Sequence, residues 1–340
     1  MSRNGWLVVL AAPLWTAASP AGAEVCATCH AKEAARFHNT PMARALVPVS
    51  AAEILERNPS LTLETGGVRW SIVRQGDGSV MTVTRGSQSL TVPLLWAFGR
   101  GRAGQTYVFE RGGVFYESRV SFYNALEGLD LTMGAPQHRG EEIEEAAGRR
   151  MDSLGARDCF GCHSSGAVVE GRLHLESIVP GVGCESCHGP AARHVEAVRA
   201  GDAAAAKMRP LSGSTAEDMA ELCGKCHRTW SEIALRGPRG VNNVRFQPYR
   251  LVNSKCYGAG DARISCTACH DPHGPLETSA AAYDRRCAAC HSAALHAKTC
   301  PAAKANCVTC HMPKIELPGA HARFTDHQIR IARAGDPYPN

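Results

Sequence analysis

From residue 61 to 122 apolar and polar residues alternate in short runs: Val68-Arg69-Trp70-Ser71-Ile72, Val80-Met81-Thr82-Val83 and Gln105-Thr106-Tyr107-Val108-Phe109. A period of two sends successive side chains to opposite faces of a strand, so these runs predict antiparallel β structure. Glycine-rich breaks supply the turns. Gly76-Asp77-Gly78 and Arg111-Gly112-Gly113 suit hairpins, the second joining Tyr107-Val108-Phe109 to Val114-Phe115-Tyr116. The segment holds no Cys and no His, so it reads as a structural insert or a docking surface.

Elsewhere the pattern is helical and broken. Residues 139–151 are charged and helix-prone and read as a solvated face. Residues 191–208 suit a helix interrupted at Gly201, and Ser214-x-x-Glu217 has the spacing of a capping box that would start a helix ending at Cys223. Residues 281–298 suit another. Gly- and Pro-rich loops fill the rest.

Those short helices carry the chemistry. Cys-x-x-Cys-His occurs seven times: Cys26/Cys29/His30, Cys159/Cys162/His163, Cys184/Cys187/His188, Cys223/Cys226/His227, Cys266/Cys269/His270, Cys287/Cys290/His291 and Cys307/Cys310/His311. Chance supplies roughly 0.03 such pentapeptides at these Cys and His frequencies. Two thiols at this spacing reach the two vinyl groups of one haem, and the next residue sets an imidazole under the iron. Zinc clusters and redox dithiols also use Cys-x-x-Cys, but neither requires a following His seven times over. The expectation is seven covalently attached haem c groups, with the seven motif histidines as proximal iron ligands. We refer to the motifs as 1 to 7 in chain order.

Composition agrees with this. A 340-residue chain that is 44% hydrophobic but only 6% aromatic is modestly supplied for a core of its size, and apolar macrocycles would make up the difference. The fold expected is therefore mainly short α-helices and loops organised around seven haems, with a β-rich insert: an α+β, cofactor-dominated arrangement. Its divisions are 1–23, 24–50 around the first motif, the insert at 51–135, and a six-haem domain at 136–340.

The first residues carry Arg3, an apolar run from Trp6 to Trp15, and Ala21-Gly22-Ala23 before Glu24, the pattern of a cleaved export signal. The run is too short for a membrane span and is broken by Pro13. A periplasmic or otherwise exported protein without a retained span is expected. Two cysteines, Cys256 and Cys300, remain outside the motifs, and in an oxidising compartment they are disulfide candidates. The formal charge of +5 misleads, because seven haems would bring fourteen propionates and turn the net charge negative. Nucleic acid is thereby an unsuitable partner.

Of fifteen histidines, seven close motifs and eight remain. His38, His138, His194, His273, His296, His321 and His327 are candidate distal ligands, and His174 and Met42 are weaker ones. This supply lets every iron take two histidines, which favours low-spin electron transfer over substrate chemistry. His273 follows His270 too closely to cap the same iron and should cross to a neighbouring haem.

The residues resemble the multihaem c-type cytochromes exported by bacteria, a family that includes the tetrahaem cytochrome of ammonia oxidation. The matching phrases are CESCHGP with His194, Ser254-Lys255-Cys256 ahead of SCTACHDPH, NCVTCHMPK and the closing Phe324-Thr325-Asp326-His327. The resemblance implies electron transfer along closely packed haems between redox protein donors and acceptors, a membrane quinol-linked complex among the potential partners. Two other functions stand beside it: an oxidoreductase for nitrite, hydroxylamine or a sulfur oxyanion with one open-coordinate haem, and a subunit of a cytochrome filament. Nitrite reductases of this kind use Cys-x-x-Cys-Lys, which does not occur here.

Overall fold

A computed structural model describes residues 23–135, 142–257, 263–291, 300, 302 and 305–339. Residues 1–22 of the proposed export signal (1–23), His138 and His296 lie outside the described residues. Among those residues no helix is long and apolar enough to cross a membrane.

Nine strands form one antiparallel sheet: β1 Leu46–Pro48, β2 Ser60–Thr65, β3 Val68–Gln75, β4 Gly78–Arg85, β5 Gln88–Phe98, β6 Gly104–Arg111, β7 Val114–Tyr123, β8 Gly128–Leu131 and β9 Gly148–Arg150. The path runs in sequence order from β2 to β8, β1 joins the far half of β5, and β9 joins β7. Both expected hairpins form, pairing Gln75 with Gly78 and Arg111 with Val114. Gly112 and Gly113 take φ of 59° and 78°, left-handed values that suit glycine and match the twist of the flanking strands.

The sheet curls until β2 meets β8, and its concave face closes on one core. Val68, Trp70 and Ile72 of β3 and Met81 and Val83 of β4 point inward, and Tyr107, Phe109 and Val120 complete the cluster. The charged stretch keeps Glu142, Glu145, Arg149 and Arg150 exposed, as expected of a solvated face, but its small apolar residues turn inward. It forms the helix Ile143–Ala147 and then β9, and Ala146 and Ala147 are buried over the sheet. The cause is Trp70, whose buried indole Nε1 needs an acceptor and donates to Ala146 O at 2.8 Å.

Strand and helix contents are about equal, so strands take a larger share than expected, because the sheet recruits residues on both sides of the insert. Beyond β9 the elements are short helices and two-stranded hairpins. Among the described residues from 252 to 316, which carry motifs 5 to 7, no apolar side chain is buried. That segment has no hydrophobic core of its own.

Candidate functional site

Each motif occupies about one helical turn. Motif 2 ends the helix Ser153–His163, motif 4 ends Ala216–His227, and motif 7 is the helix Cys307–His311. Elsewhere the motif His N–H bonds to the carbonyl of the first Cys, as in His30 to Cys26 at 2.8 Å, His270 to Cys266 at 2.9 Å and His291 to Cys287 at 2.8 Å. One turn places positions i, i+3 and i+4 on a single face, so both thiols and the imidazole project together.

The motif 4 helix starts at a capping box one residue later than the sequence suggests. Thr215 Oγ1 accepts from Asp218 N, and Asp218 Oδ2 accepts from Thr215 N, both at 3.0 Å. The sheet grips motif 2. Phe160, fully buried between its cysteines, packs edge-on against Trp96, Phe98 and Phe115. Phe98 also meets His163, whose Nδ1 donates to Ala45 O at 2.9 Å.

Protein side chains enclose the other motifs less. Cys29, Cys187, Cys269, Cys290 and Cys310, the second thiols of motifs 1, 3, 5, 6 and 7, are exposed. The cause is the shortness of the elements that carry them. The helix Ala31–His38 beside motif 1 buries none of its residues, and neither does the motif 7 helix. At Cys29 and Cys310 the Sγ atom lies 3.9 Å from the hydroxyl of the preceding residue, Thr28 or Thr309. Each of those hydroxyls donates at 2.7 Å to a backbone carbonyl three residues back, which leaves both thiols open at the surface.

Three motif histidines each face a second imidazole. The ring centroids are 6.4 Å apart for His30 and His194, 5.9 Å for His188 and His273, and 6.2 Å for His270 and His327. A nitrogen bonded to a metal at about 2 Å places its ring centre roughly 3 Å from the metal, so two rings on opposite sides of one iron stand about 6 Å apart. The observed separations fit. The partner of His188 comes from beside motif 5, the crossing expected of His273.

The outer nitrogens fit as well. Nδ1 donates to a carbonyl oxygen in His163, His194 (Ala206 O), His227 (Gln247 Oε1, 3.1 Å), His311 (Arg330 O, 3.0 Å) and His327 (Thr325 O, 3.0 Å). His270 Nδ1 lies 3.4 Å from the Tyr283 hydroxyl. This fixes the tautomer that leaves Nε2 with a lone pair, the usual arrangement of metal-bound histidines. Burial lowers the pKa of His163, His188, His227 and His270 and brings His327 down to about 4, which keeps these rings in the neutral, ligating form.

Among the described residues, His38, His174 and His321 meet no motif imidazole in a ring contact. His321 donates from Nε2 to Asp130 Oδ2 at 2.7 Å and packs on Tyr123. His174 donates from Nδ1 to Glu176 at 2.9 Å, His38 is exposed, and Met42 is half-buried.

The described thiols differ in state: the neighbouring thiol Cys226 lowers the pKa of Cys162, and Cys223 lowers that of Cys266. Burial pushes Cys26, Cys159 and Cys307 up to about 11, far from a reactive or metal-bound thiolate. Among the described residues no three or more His, Cys, Asp or Glu converge as they would around a metal ion. Cys256, half-buried, lies near Cys269, Cys287 and Cys290. Thiols of different motifs are neighbours. Cys26 lies beside Cys184, Cys162 beside Cys226, Cys223 beside Cys266, and Cys287 beside Cys307.

Comparison with known proteins decides among the chemistries that this geometry admits. The family described as cytochrome c554 and c-prime matches residues 125–189, which contain motifs 2 and 3. The chain is 27% identical over 173 residues to the C-type polyheme cytochrome OmcC of Geobacter sulfurreducens, covering 46% of this chain and 20% of that one. It is 36% identical over 69 residues to cytochrome c-554 of Nitrosomonas europaea, covering 19% of this chain and 28% of that one. These matches make the chain similar to multihaem c-type cytochromes. The matched regions span only a fifth to rather more than a quarter of these two relatives' lengths. The crystal structure of the outer cell wall cytochrome OcwA shares the fold at a TM-score of 0.54 and 15% identity, covering 92% of this chain and 80% of that one. Haem c is thus the group that the cytochrome's paired thiols and imidazoles are fitted to hold.

Sequence reasoning misses the buried pair Arg250–Asp326 beside His327, both side chains 0% exposed. Asp326 falls in the closing Phe-Thr-Asp-His phrase, but nothing local points to Arg250.

Proposed function

We propose that this cytochrome is an exported electron-transfer protein that holds seven haem c groups, one per motif, on irons capped mainly by two histidines. The observation that carries the reading is the set of three imidazole pairs at 5.9, 6.2 and 6.4 Å. Bound haem supplies a one-electron ferric/ferrous couple. His194, His273 and His327 would hold three of the irons jointly with His30, His188 and His270, which would deny substrates a coordination position there. With His321 held by Asp130, the remaining histidine candidates for the other four irons are His38, His138, His174 and His296.

The thiol neighbours suggest the order in which the motifs adjoin. Motif 1 meets 3, 2 meets 4, 4 meets 5, and 6 meets 7, while Cys187 and Cys223 bring 3 near 4, and Cys269 and Cys287 bring 5 near 6. This is a line of six with motif 2 branching at motif 4. Redox proteins at its ends would give and take electrons, and the sheet shields motif 2. Intact-mass spectrometry of protein matured with a haem-attachment system tests the stoichiometry. Seven haem masses are expected, the exposed Cys29 and Cys310 included among the thioether-forming thiols, and a smaller number at full maturation sinks the seven-haem reading.

A further inference from the structure

The stretch 326–330 joins two parts of the array. Asp326 Oδ1 accepts from Arg250 Nε at 2.8 Å and from Gln328 N at 3.0 Å, and Oδ2 accepts from Arg250 Nη2 at 3.0 Å and Arg330 Nη1 at 2.5 Å. Four donors use the full acceptor capacity of the carboxylate. Arg250 is equally committed: Nη1 donates to Pro339 O at 2.8 Å, Nη2 to Gln328 Oε1 at 2.6 Å, and the Tyr338 ring lies 4.5 Å over its guanidinium. A planar, bidentate, fully satisfied arginine of this sort fixes geometry more than it adds stability.

Its two flanks carry imidazoles. His327 follows Asp326 directly, Ser254 Oγ donates to its carbonyl at 3.1 Å, and its ring faces His270. At the other flank, Arg330 O accepts from His311 Nδ1 at 3.0 Å, and Arg330 N donates to His311 O at 3.1 Å. The carboxylate that anchors the His327 turn therefore also anchors the residue that orients the motif 7 imidazole.

We propose that Arg250, Asp326 and Arg330 form one positioning unit that sets two iron ligands together, His327 opposite His270 and His311 in motif 7. The proposal rests on the electron-transfer reading above and adds to it that the haems of motifs 5 and 7 are tuned by a shared buried charge cluster. None of the three residues is a ligand; each acts through a histidine that it holds.

The test uses the fully matured cytochrome and its low-temperature electron paramagnetic resonance spectrum. A His327→Met variant first marks the signal of the motif 5 haem. Asp326→Asn is then expected to retain all seven haems, to alter two low-spin signals, one of them that marked by His327→Met, and to speed cyanide binding at one haem by about tenfold. Arg330→Gln, at the edge of the triad with a side chain 19% exposed, is expected to alter a single signal, different from the marked one. A clamp that merely secures the C-terminus would lower the unfolding midpoint and leave both signals in place, which would overturn the proposal. An Asp326→Asn spectrum changed at one haem only would do the same. If Asp326→Asn fails to mature, Arg330→Gln decides: an unchanged spectrum rejects the shared unit. Lack of low-spin signals in the unaltered protein would reject the electron-transfer reading itself, a separate outcome.

Discussion

His273 lies 5.9 Å, ring centre to ring centre, from His188, with the two planes 7° apart, although it follows the motif 5 imidazole His270 by only three positions. The backbone between them carries one imidazole to each of two neighbouring sites, so motifs 3 and 5 cannot separate without breaking the pair. His273→Ala should leave the covalent haem count unchanged and open one haem to cyanide. Optical titration checks it. A spectrum that stays fully low-spin would remove His273 from the ligand set.

Acid should loosen the array through its buried imidazoles. Burial lowers His327 from an ordinary 6.5 to about 4 and moves His163, His188, His227 and His270 the same way. Between those two values the unfolded chain takes up protons that the folded chain refuses, so stability rises with pH across the window. The contribution is fully present above pH 6.5 and is lost on descending to about 4. Denaturant midpoints measured from pH 7 down to 4.5 should fall steadily, and a flat profile would contradict the burial of these rings in neutral form.

The Arg250–Asp326 pair gives a stability prediction independent of any spectrum. Asp326→Leu leaves a fully buried guanidinium without its counter-charge and should cost about 3–5 kcal/mol. Arg250→Met combined with Asp326→Leu removes both charges and should recover most of that loss. Chemical denaturation of the two variants measures the difference, and equal losses would show that packing, not charge, matters at this position.

Trp70 tests the sheet separately from the haem-bearing segment. Its side chain is 0% exposed and holds the helix Ile143–Ala147 through Ala146 O. Trp70→Ala should destabilise the sheet by about 3–5 kcal/mol while motifs 3 to 7 keep their haems, as intact mass and unfolding curves would register together.

What is legible in the sequence is what depends on neighbours in the chain. Thiol and imidazole positions follow from one helical turn, and the β3–β4 and β6–β7 hairpins follow from alternation and paired glycines. The capping box falls one residue from its expected place because Ser214/Glu217 and Thr215/Asp218 share the same spacing and the same residue classes. Residues 142–151 leave Glu142, Glu145, Arg149 and Arg150 exposed, as their charge suggests, but bury Ala146 and Ala147 against Trp70, distant in the chain. The motif spacing fixes that Cys29 and Cys310 stand beside their imidazoles but not how far protein covers them, which depends on what packs around each short helix. His321 counts as a ligand candidate on composition, yet its Nε2 is committed to Asp130, another long-range partner. Which histidines meet, and that Arg250 finds Asp326, are properties of the packed chain alone.

The central claim is that the irons are closed on both axial faces and that the cytochrome therefore carries electrons rather than turning over a substrate. Low-temperature electron paramagnetic resonance of the oxidised, fully matured protein tests it most directly. The account predicts low-spin ferric signals for all seven haems. A high-spin signal integrating to one haem or more would contradict it.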